Sequence, residues 1–372
     1  MQVFIFPGQG SQAKGMGEDL FDAYPELVKQ ADKILGYSIK ELCLEDPRKE
    51  LNKTQFTQPA LYVVNALSYY QKVEEQGFKP DFVAGHSLGE FNALLAAECY
   101  SFESGLKLVK KRGELMSQVS DGAMAAIVNS SEEKILTLLK ENGLNNIDLA
   151  NFNTPSQIVL SGAKDEIVKA ESLFTDGSRY YPLNTSGAFH SRYMAPSKAK
   201  FLTYLKKFKL SAPKIPVISN VTARPYEQEQ LIDNLSNQID SSVRWSESIQ
   251  YLMKQGDADF IEVGFGEVLS GLIYKIKHET AKAEKALQQA EKKPAAGADK
   301  SVKAVFSADM SAEEKVKTWN SHYPVGTKVN SSLPGYDVVE TKSQARVLFG
   351  HRAVVYMKNY NGYFSLDEIT PV

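Results

Sequence analysis

The chain has 372 residues, 43% of them hydrophobic and 24% charged, and a formal net charge of -2. That length suggests more than one domain and can bury a large core, and the near-neutral charge offers no field for nucleic acid or an anionic membrane, so neither is an expected partner. Two cysteines, Cys43 and Cys99, stand in apolar segments without metal-ligand spacing and read as reduced core thiols.

The opening residues Met1 to Pro7 carry no basic region and too short an apolar run for a signal peptide. No apolar stretch approaches membrane-spanning length, so a cytoplasmic protein is expected. Val3 to Phe6 reads as a buried first strand running into the loop Pro7-Gly8-Gln9-Gly10-Ser11-Gln12. Alone, that loop is a plain turn. At the end of a central strand it stands where α/β folds place site residues. Pro59 to Glu75 has Leu61, Val64, Leu67 and Tyr69 at helical spacing, with proline near its start.

Asp81 to Ala84 reads as a short buried strand and Phe91 to Glu98 as an Ala/Leu-rich helix. Between them lies Gly85-His86-Ser87-Leu88-Gly89-Glu90. A Gly-x-Ser-x-Gly run is common in simple turns, but between a strand and a helix it fits a nucleophile elbow. Glycine on both sides allows the close backbone approach. The turn lifts the Ser87 hydroxyl above the sheet, and the Leu88 amide then points where an oxyanion would form.

Phe102 to Val119 is a second long helix. Glu103 with Lys107, and Lys110 with Glu114, are spaced as surface pairs. Arg112 has no such partner, since its helical neighbours are Leu108, Val109, Leu115 and Met116. The simpler reading is a snorkelling or tertiary salt-bridged arginine; the functional one is that an anion meets it.

From about 123 to 185 the pattern is βαββαβ: strands Met124 to Val128, Ile147 to Phe152, Gln157 to Leu160 and Arg179 to Leu183, with helices Ser131 to Asn142 and Asp165 to Phe174. That order is the ferredoxin-like unit, here inserted into a larger α/β domain, with Asn153-Thr154-Pro155 as an internal turn. The chain returns through Gly187-Ala188-Phe189-His190-Ser191. It continues to strands at Val217 to Asn220 and Phe260 to Val263, the latter ending in the turn Gly264-Phe265-Gly266. Residues 279–303 read as a linker, helical and then broken at Pro294 to Asp299. Beyond it, 304–372 reads as a small, mostly β module. It opens with the capping box Ser311-x-x-Glu314, and an Asn361-Gly362 hairpin turn joins Val354 to Met357 with Tyr363 to Leu366.

An elbow serine needs a base. Of five histidines, His86 adjoins the serine and should point away, His278 sits in a lysine-rich surface stretch, and His322 and His351 belong to the terminal module. His190, in a small-residue loop between the subdomains, is the leading candidate.

The motifs Gly8-Gln9-Gly10-Ser11-Gln12, Gly85-His86-Ser87-Leu88-Gly89-Glu90, Arg112 in its helix and Ala188-Phe189-His190-Ser191, with the inserted unit, resemble the malonyl-CoA:acyl-carrier-protein transacylase family over roughly residues 1–277. The Gly187-to-Met194 form is similar to the free-standing acyltransferases that load polyketide synthases. The resemblance implies ping-pong acyl transfer from malonyl-CoA to the phosphopantetheine thiol of an acyl carrier protein. Ser87 would be the nucleophile and His190 the base; the Leu88 and Gln9 amides would form the oxyanion hole. It further implies that Arg112 grips the malonyl carboxylate, that Phe189 fills space near the malonyl α-carbon, that Asn153 and Gln58 are polar pocket positions, and that the main-chain carbonyl of Arg244 orients the histidine. No metal and no cofactor are implied. The expected fold is α/β, an α/β-hydrolase-like large subdomain within 1–278, the ferredoxin-like insert at about 123–185, and the β-rich module. An acyl hydrolase using the same serine and histidine is the alternative, which Arg112 argues against. In a third reading the chain is mainly a docking component and its terminal module binds a synthase or carrier protein.

Overall fold

A computed structural model describes residues 1–119, 121–185, 187–292, 306, 310–331, 338–348, 352–358 and 363–372. The chain opens with β1 (Gln2–Phe6), buried from Val3 onward. Three short helices follow, α1 (Glu18–Ala23), α2 (Pro25–Leu35) and α3 (Ile39–Leu44), then the long α4 (Thr54–Gln76). α4 starts at Thr54, ahead of the start expected at Pro59, so the proline lies inside the helix. Its ring removes one backbone donor near the helix start, and the dense burial of the Pro59-to-Leu67 segment offsets that loss.

β2 (Phe82–Gly85) and α5 (Gly89–Ala96) flank Ser87. α6 (Phe102–Ser117) is capped by Ser101, whose Oγ accepts from the Ser104 amide at 3.2 Å. On its surface Lys107 pairs with Glu103 at 2.6 Å. Lys110 does not pair with Glu114. It donates to the carbonyls of Ile34 at 2.9 Å and Leu35 at 3.4 Å, where the end of α2 leaves carbonyls free, and Glu114 takes Lys111 instead.

The next segment forms β3 (Gly122–Val128), α7 (Glu132–Glu141), β4 (Ile147–Thr154), β5 (Gln157–Ala163), α8 (Lys164–Ala170) and β6 (Arg179–Pro182). Its sheet is antiparallel in the order β4-β5-β3-β6. Ile135 and Leu139 of α7 and Ile167 of α8 pack on Ala125, Ile127, Ile158 and Leu160, a small core of its own.

After α9 (Ala195–Leu205) come β7 (Val217–Ile218), α10 (Leu231–Asn237), α11 (Trp245–Met253), β8 (Asp259–Glu262) and α12 (Val268–Lys292). The larger sheet runs β7-β2-β1-β8, all parallel, with Ile5 beside Ala84 and Glu262. The smaller sheet is tied to the segment leading into α11 where Phe152 donates to the Val243 carbonyl at 2.9 Å and Val243 to that of Ala150 at 2.8 Å. In an open parallel sheet ligands bind beyond the carboxyl ends of the strands, where β1 and β2 deliver Gly8 and Ser87.

The chain divides into units at Met1–Thr280 and Ala281–Val372. The helical part expected from residue 279 continues α12 without a break, and the first half of that helix is anchored by buried Leu269, Ile273 and Ile276. The Pro294-to-Asp299 break, His351 and the Asn361-Gly362 turn lie outside the described residues. In the second unit α13 (Ala312–His322) carries the Ser311/Glu314 capping box. Strands β9 (Lys328–Ser331), β10 (Val338–Glu340), β11 (Arg346–Leu348), β12 (Arg352–Tyr356), β13 (Tyr363–Ser365) and β14 (Ile369–Pro371) form two antiparallel sheets, β10-β9-β14 and β11-β12-β13. Trp319, Val329, Val355, Met357 and Phe364 are its core. Among the described residues no helix is long and apolar enough to cross a membrane.

Candidate active site

The turn between β2 and α5 places Ser87 at φ +50°, a left-handed conformation that a side chain adopts only when its surroundings enforce it. The flanking glycines are required by contact. A Cβ on Gly85 would lie 1.9 Å from the Gly89 carbonyl carbon, and one on Gly89 would lie 2.0 Å from the Phe6 oxygen. The Ser87 amide is fixed by the Asn220 Oδ1 at 2.8 Å, and the Asn220 Nδ2 donates to the Gly85 carbonyl at 2.7 Å. Among the described residues the amides of Gln9 and Leu88 have no protein acceptor, so both are available to an oxyanion.

Ser87 Oγ stands 2.7 Å from His190 Nε2. His190 is itself at φ +56° and is buried. Its Nδ1 faces two carbonyls, Gln238 at 2.8 Å and Ser241 at 3.2 Å. Two acceptors there assign the proton to Nδ1, which leaves the Nε2 lone pair for the serine hydroxyl. Burial, reinforced by the nearby Arg112 charge, lowers the His190 pKa to about 3, so the ring is neutral at physiological pH.

Arg112, 1% exposed, reaches the same hydroxyl. Nη1 donates to Gln58 Oε1 at 2.8 Å, and Nη2 donates to Gln238 Oε1 at 2.9 Å and Ser87 Oγ at 3.1 Å. These partners are all neutral, and Nε is buried with no partner among the described residues. The guanidinium also lies over the Phe91 ring, 5.5 Å from its centroid. Burial lowers its pKa to about 10, opposed by Glu90, and it remains a cation at neutral pH. A buried cation held by amide oxygens, with a spare donor, is chemically able to receive a carboxylate.

Gln9, Gln58, Ser87, Leu88, Arg112, Phe189 and His190 line one cavity of ≈ 100 Å³, completed by Met116, Met124, Asn151, Leu183, Thr185 and the edge of His86. His86 turns its Nε2 to Asn153 Oδ1 at 2.9 Å and its ring edge to Trp245. Asn153, expected as a pocket residue, therefore stands behind His86, and Asn151 takes the lining position. The register shift between Phe152 and Thr154 re-aims the strand there. Arg244 is likewise displaced from its expected role. It is the N-cap of α11, and its carbonyl accepts the Ser248 amide at 3.0 Å and hydroxyl at 2.9 Å, while Gln238 and Ser241 serve the histidine. His278 and His322 are exposed. Both cysteines are buried, and burial pushes the Cys99 thiol to about 12.

Four further residues escaped the sequence reading. Gln238 joins Arg112 to Glu90, donating from Nε2 to Glu90 Oε2 at 2.6 Å and to the Ser87 carbonyl at 2.6 Å. Glu90 Oε1 accepts from the Asn220 amide at 2.9 Å and the Tyr226 hydroxyl at 2.6 Å. Glu90 carried a usable signal, an acid at the head of an Ala/Leu-rich helix. Gln238, Asn220 and Tyr226 carried none.

The acyl transferase domain family matches residues 3–310. The polyketide biosynthesis malonyl CoA-acyl carrier protein transacylase PksC of Bacillus subtilis is 60% identical over 280 residues, 74% of this chain and 97% of that one. The malonyl CoA-acyl carrier protein transacylase of Synechocystis is 41% identical over 275 residues, 73% of this chain and 92% of that one. A crystal structure of the Burkholderia pseudomallei malonyl CoA-acyl carrier protein transacylase superposes with a TM-score of 0.74 at 58% identity, covering 75% of this chain and 98% of that one. A type II polyketide synthase acyl-carrier protein in complex with its malonyl-transacylase matches with a TM-score of 0.71 at 34% identity, over 74% of this chain and 93% of the other. The chain belongs to the acyl transferase domain family, among the malonyl CoA-acyl carrier protein transacylases.

Proposed function

We propose that this chain transfers a malonyl group from malonyl-CoA to the phosphopantetheine thiol of an acyl carrier protein through an ester on Ser87. The observation that carries the reading is a serine hydroxyl shared by a neutral imidazole and a buried guanidinium in one small cavity.

Ser87 Oγ attacks the thioester carbonyl while His190 Nε2 takes its proton, and the Gln9 and Leu88 amides receive the oxyanion. Collapse breaks the carbon–sulfur bond. The imidazolium returns its proton to the departing coenzyme A thiolate, leaving malonyl-Ser87 and neutral His190. In the second half His190 deprotonates the phosphopantetheine thiol, the thiolate attacks the ester, and Ser87 recovers the proton as it leaves. All proton transfers use the chain's own groups.

Arg112 holds the malonyl carboxylate and does a second thing. In the empty site its charge helps depress the basicity of His190. A bound carboxylate neutralises that charge, so the correct substrate strengthens the base that acts on it. Phe189 and Met124 close the cavity around the acyl chain, and Gln58 fixes the guanidinium.

The large parallel sheet with Ser87 at its switch point is read as α/β-hydrolase-like, and the four-stranded unit as a ferredoxin-like insert. Its strand order and βαββαβ connectivity support that. A cytoplasmic site of action accords with coenzyme A chemistry. The names of the more similar relatives support a polyketide carrier protein as acceptor.

Hydrolysis is the competing outcome for the same ester, and a chase distinguishes them. Malonyl-enzyme freed of coenzyme A is mixed with holo-carrier protein, and both products are followed by mass spectrometry. Malonyl-carrier protein is expected to form well ahead of free malonate. Malonate released at the same rate with and without carrier protein would make the chain a hydrolase.

A further inference from the structure

We infer that Glu90 is a positioning residue which, by fixing the Gln238 side-chain amide, holds both the carboxylate-binding arginine and the elbow serine in register. The inference rests on the assignment of Ser87 and Arg112 given above and adds the group that keeps them in place.

The geometry is that of an acceptor surrounded by donors. Glu90 is fully buried and sits in the first turn of α5, three residues beyond Ser87. Its Oε1 takes the Asn220 amide and the Tyr226 hydroxyl, and its Oε2 takes Gln238 Nε2. All three neighbours donate, so the ionised carboxylate satisfies them without conflict. Gln238 can then face only one way. Its nitrogen lies on Glu90 and the Ser87 carbonyl, and its oxygen on Arg112 Nη2. The same residue's main-chain carbonyl receives His190 Nδ1. Asn220, also tied to Glu90, holds the Ser87 amide. One carboxylate is thus linked by single hydrogen-bonded steps to the residues that set the nucleophile and the diacid grip.

The chemistry of a carboxamide at position 90 shows why charge matters here. A glutamine offers one acceptor and one donor where Glu90 offers two acceptors. If its oxygen serves Asn220 and Tyr226, its nitrogen confronts Gln238 Nε2. Gln238 must then rotate, setting its nitrogen against Arg112 and its oxygen against the Ser87 carbonyl. Both contacts become repulsive. The groups facing Glu90 that carry or can carry charge are Arg112 from α6, Tyr226 beyond β7, Tyr100 beyond α5 and, past Gln238, His190. Burial raises the Glu90 pKa to about 7, while His190 lies near 3, so protonation of Glu90 is the step that falls in the neutral range.

The test is Glu90→Gln in the full chain, with Ser87 acylation by malonyl-CoA and by acetyl-CoA measured in single turnovers across pH, alongside the thermal midpoint. The variant is expected to raise KM for malonyl-CoA and lower the malonyl-over-acetyl preference by about tenfold to a hundredfold, the scale of one buried donor–acceptor mismatch. Wild-type acylation is expected to fall below about pH 7, and the variant is expected to lack that limb. Wild-type KM, preference and pH profile in a folded Glu90→Gln protein would overturn the inference. Should that variant not fold, Gln238→Met decides, because it keeps the main-chain carbonyl and removes the amide. A lowered malonyl-over-acetyl ratio supports the inference, and an unchanged ratio overturns it. Failure of the wild-type chain to form malonyl-Ser87 at all would instead sink the assignment of the site.

Discussion

Ser87→Ala is expected to form no acyl-enzyme with malonyl-CoA and to lose transfer by on the order of a millionfold, the scale seen when a serine nucleophile is deleted and only binding and oxyanion stabilisation remain. The structure makes this a specific statement. Among the described residues, Ser87 Oγ is the single atom within hydrogen-bond distance of both His190 Nε2 and Arg112 Nη2. Alanine at 87 retains the left-handed backbone requirement of the elbow, so its fold is expected to persist at a modest cost, and unfolding curves separate the two effects. Intact-protein mass after incubation with malonyl-CoA reads the result directly. An acylated Ser87→Ala protein would remove the elbow from the mechanism.

Arg112→Ala is expected to separate malonyl from acetyl chemistry. Two charge-assisted hydrogen bonds to a carboxylate contribute about 1.5–3 kcal/mol each. Their loss should lower kcat/KM for malonyl-CoA by roughly two to four orders of magnitude at about 1.4 kcal/mol per tenfold. Acetyl-CoA presents no carboxylate and should lose far less. The substitution also leaves the Gln58 and Gln238 oxygens without their donor, so a loss of stability of about 1–3 kcal/mol is expected beside the kinetic effect. Arg112→Lys should not restore selectivity, because one ammonium cannot meet two amide oxygens and a bidentate anion together. Competition between the two thioesters for one enzyme sample measures the ratio without dependence on folded fraction. Equal losses for both would refute a carboxylate-binding role.

The parts of this site legible in the sequence are those where side-chain chemistry conflicts with its local setting. Gly85 and Gly89 bracket Ser87 because no Cβ fits, which leaves a mark in composition. Arg112 stands among apolar neighbours and must be met by something, although the sequence does not say that amide oxygens from Gln58 and Gln238 do so. His190 emerged by elimination.

What stayed hidden depends on backbone geometry and long-range contact. The carbonyls that orient His190 belong to Gln238 and Ser241, and any residue type supplies a carbonyl, so nothing marks them. Arg244 was misassigned for the same reason, its carbonyl being consumed by the first turn of α11. Asn153, read as part of a turn and given a pocket role by resemblance alone, lies within β4, where the register shifts between Phe152 and Thr154. Lys110 fits a helical ion pair by spacing, yet the carbonyl end of α2, 75 and 76 residues away in sequence, supplies its acceptors. Element identities in the βαββαβ segment were recovered because its strands and helices carry their own hydrophobic periods, and Ser131 caps the first helix. The sequence also read Glu279 to Lys293 as helical, and α12 runs from Val268 to Lys292; what it did not show is that this stretch continues the helix anchored by Leu269, Ile273 and Ile276.

The most direct measurement is proteolytic peptide mapping of the full chain after a brief exposure to malonyl-CoA, with the reaction stopped in acid to preserve esters. A malonyl ester confined to the peptide bearing Ser87, and lost on adding holo-carrier protein as that partner gains the same group, is the predicted result. Malonyl on a different residue, or transfer to the carrier protein with no ester formed on the enzyme, would contradict it.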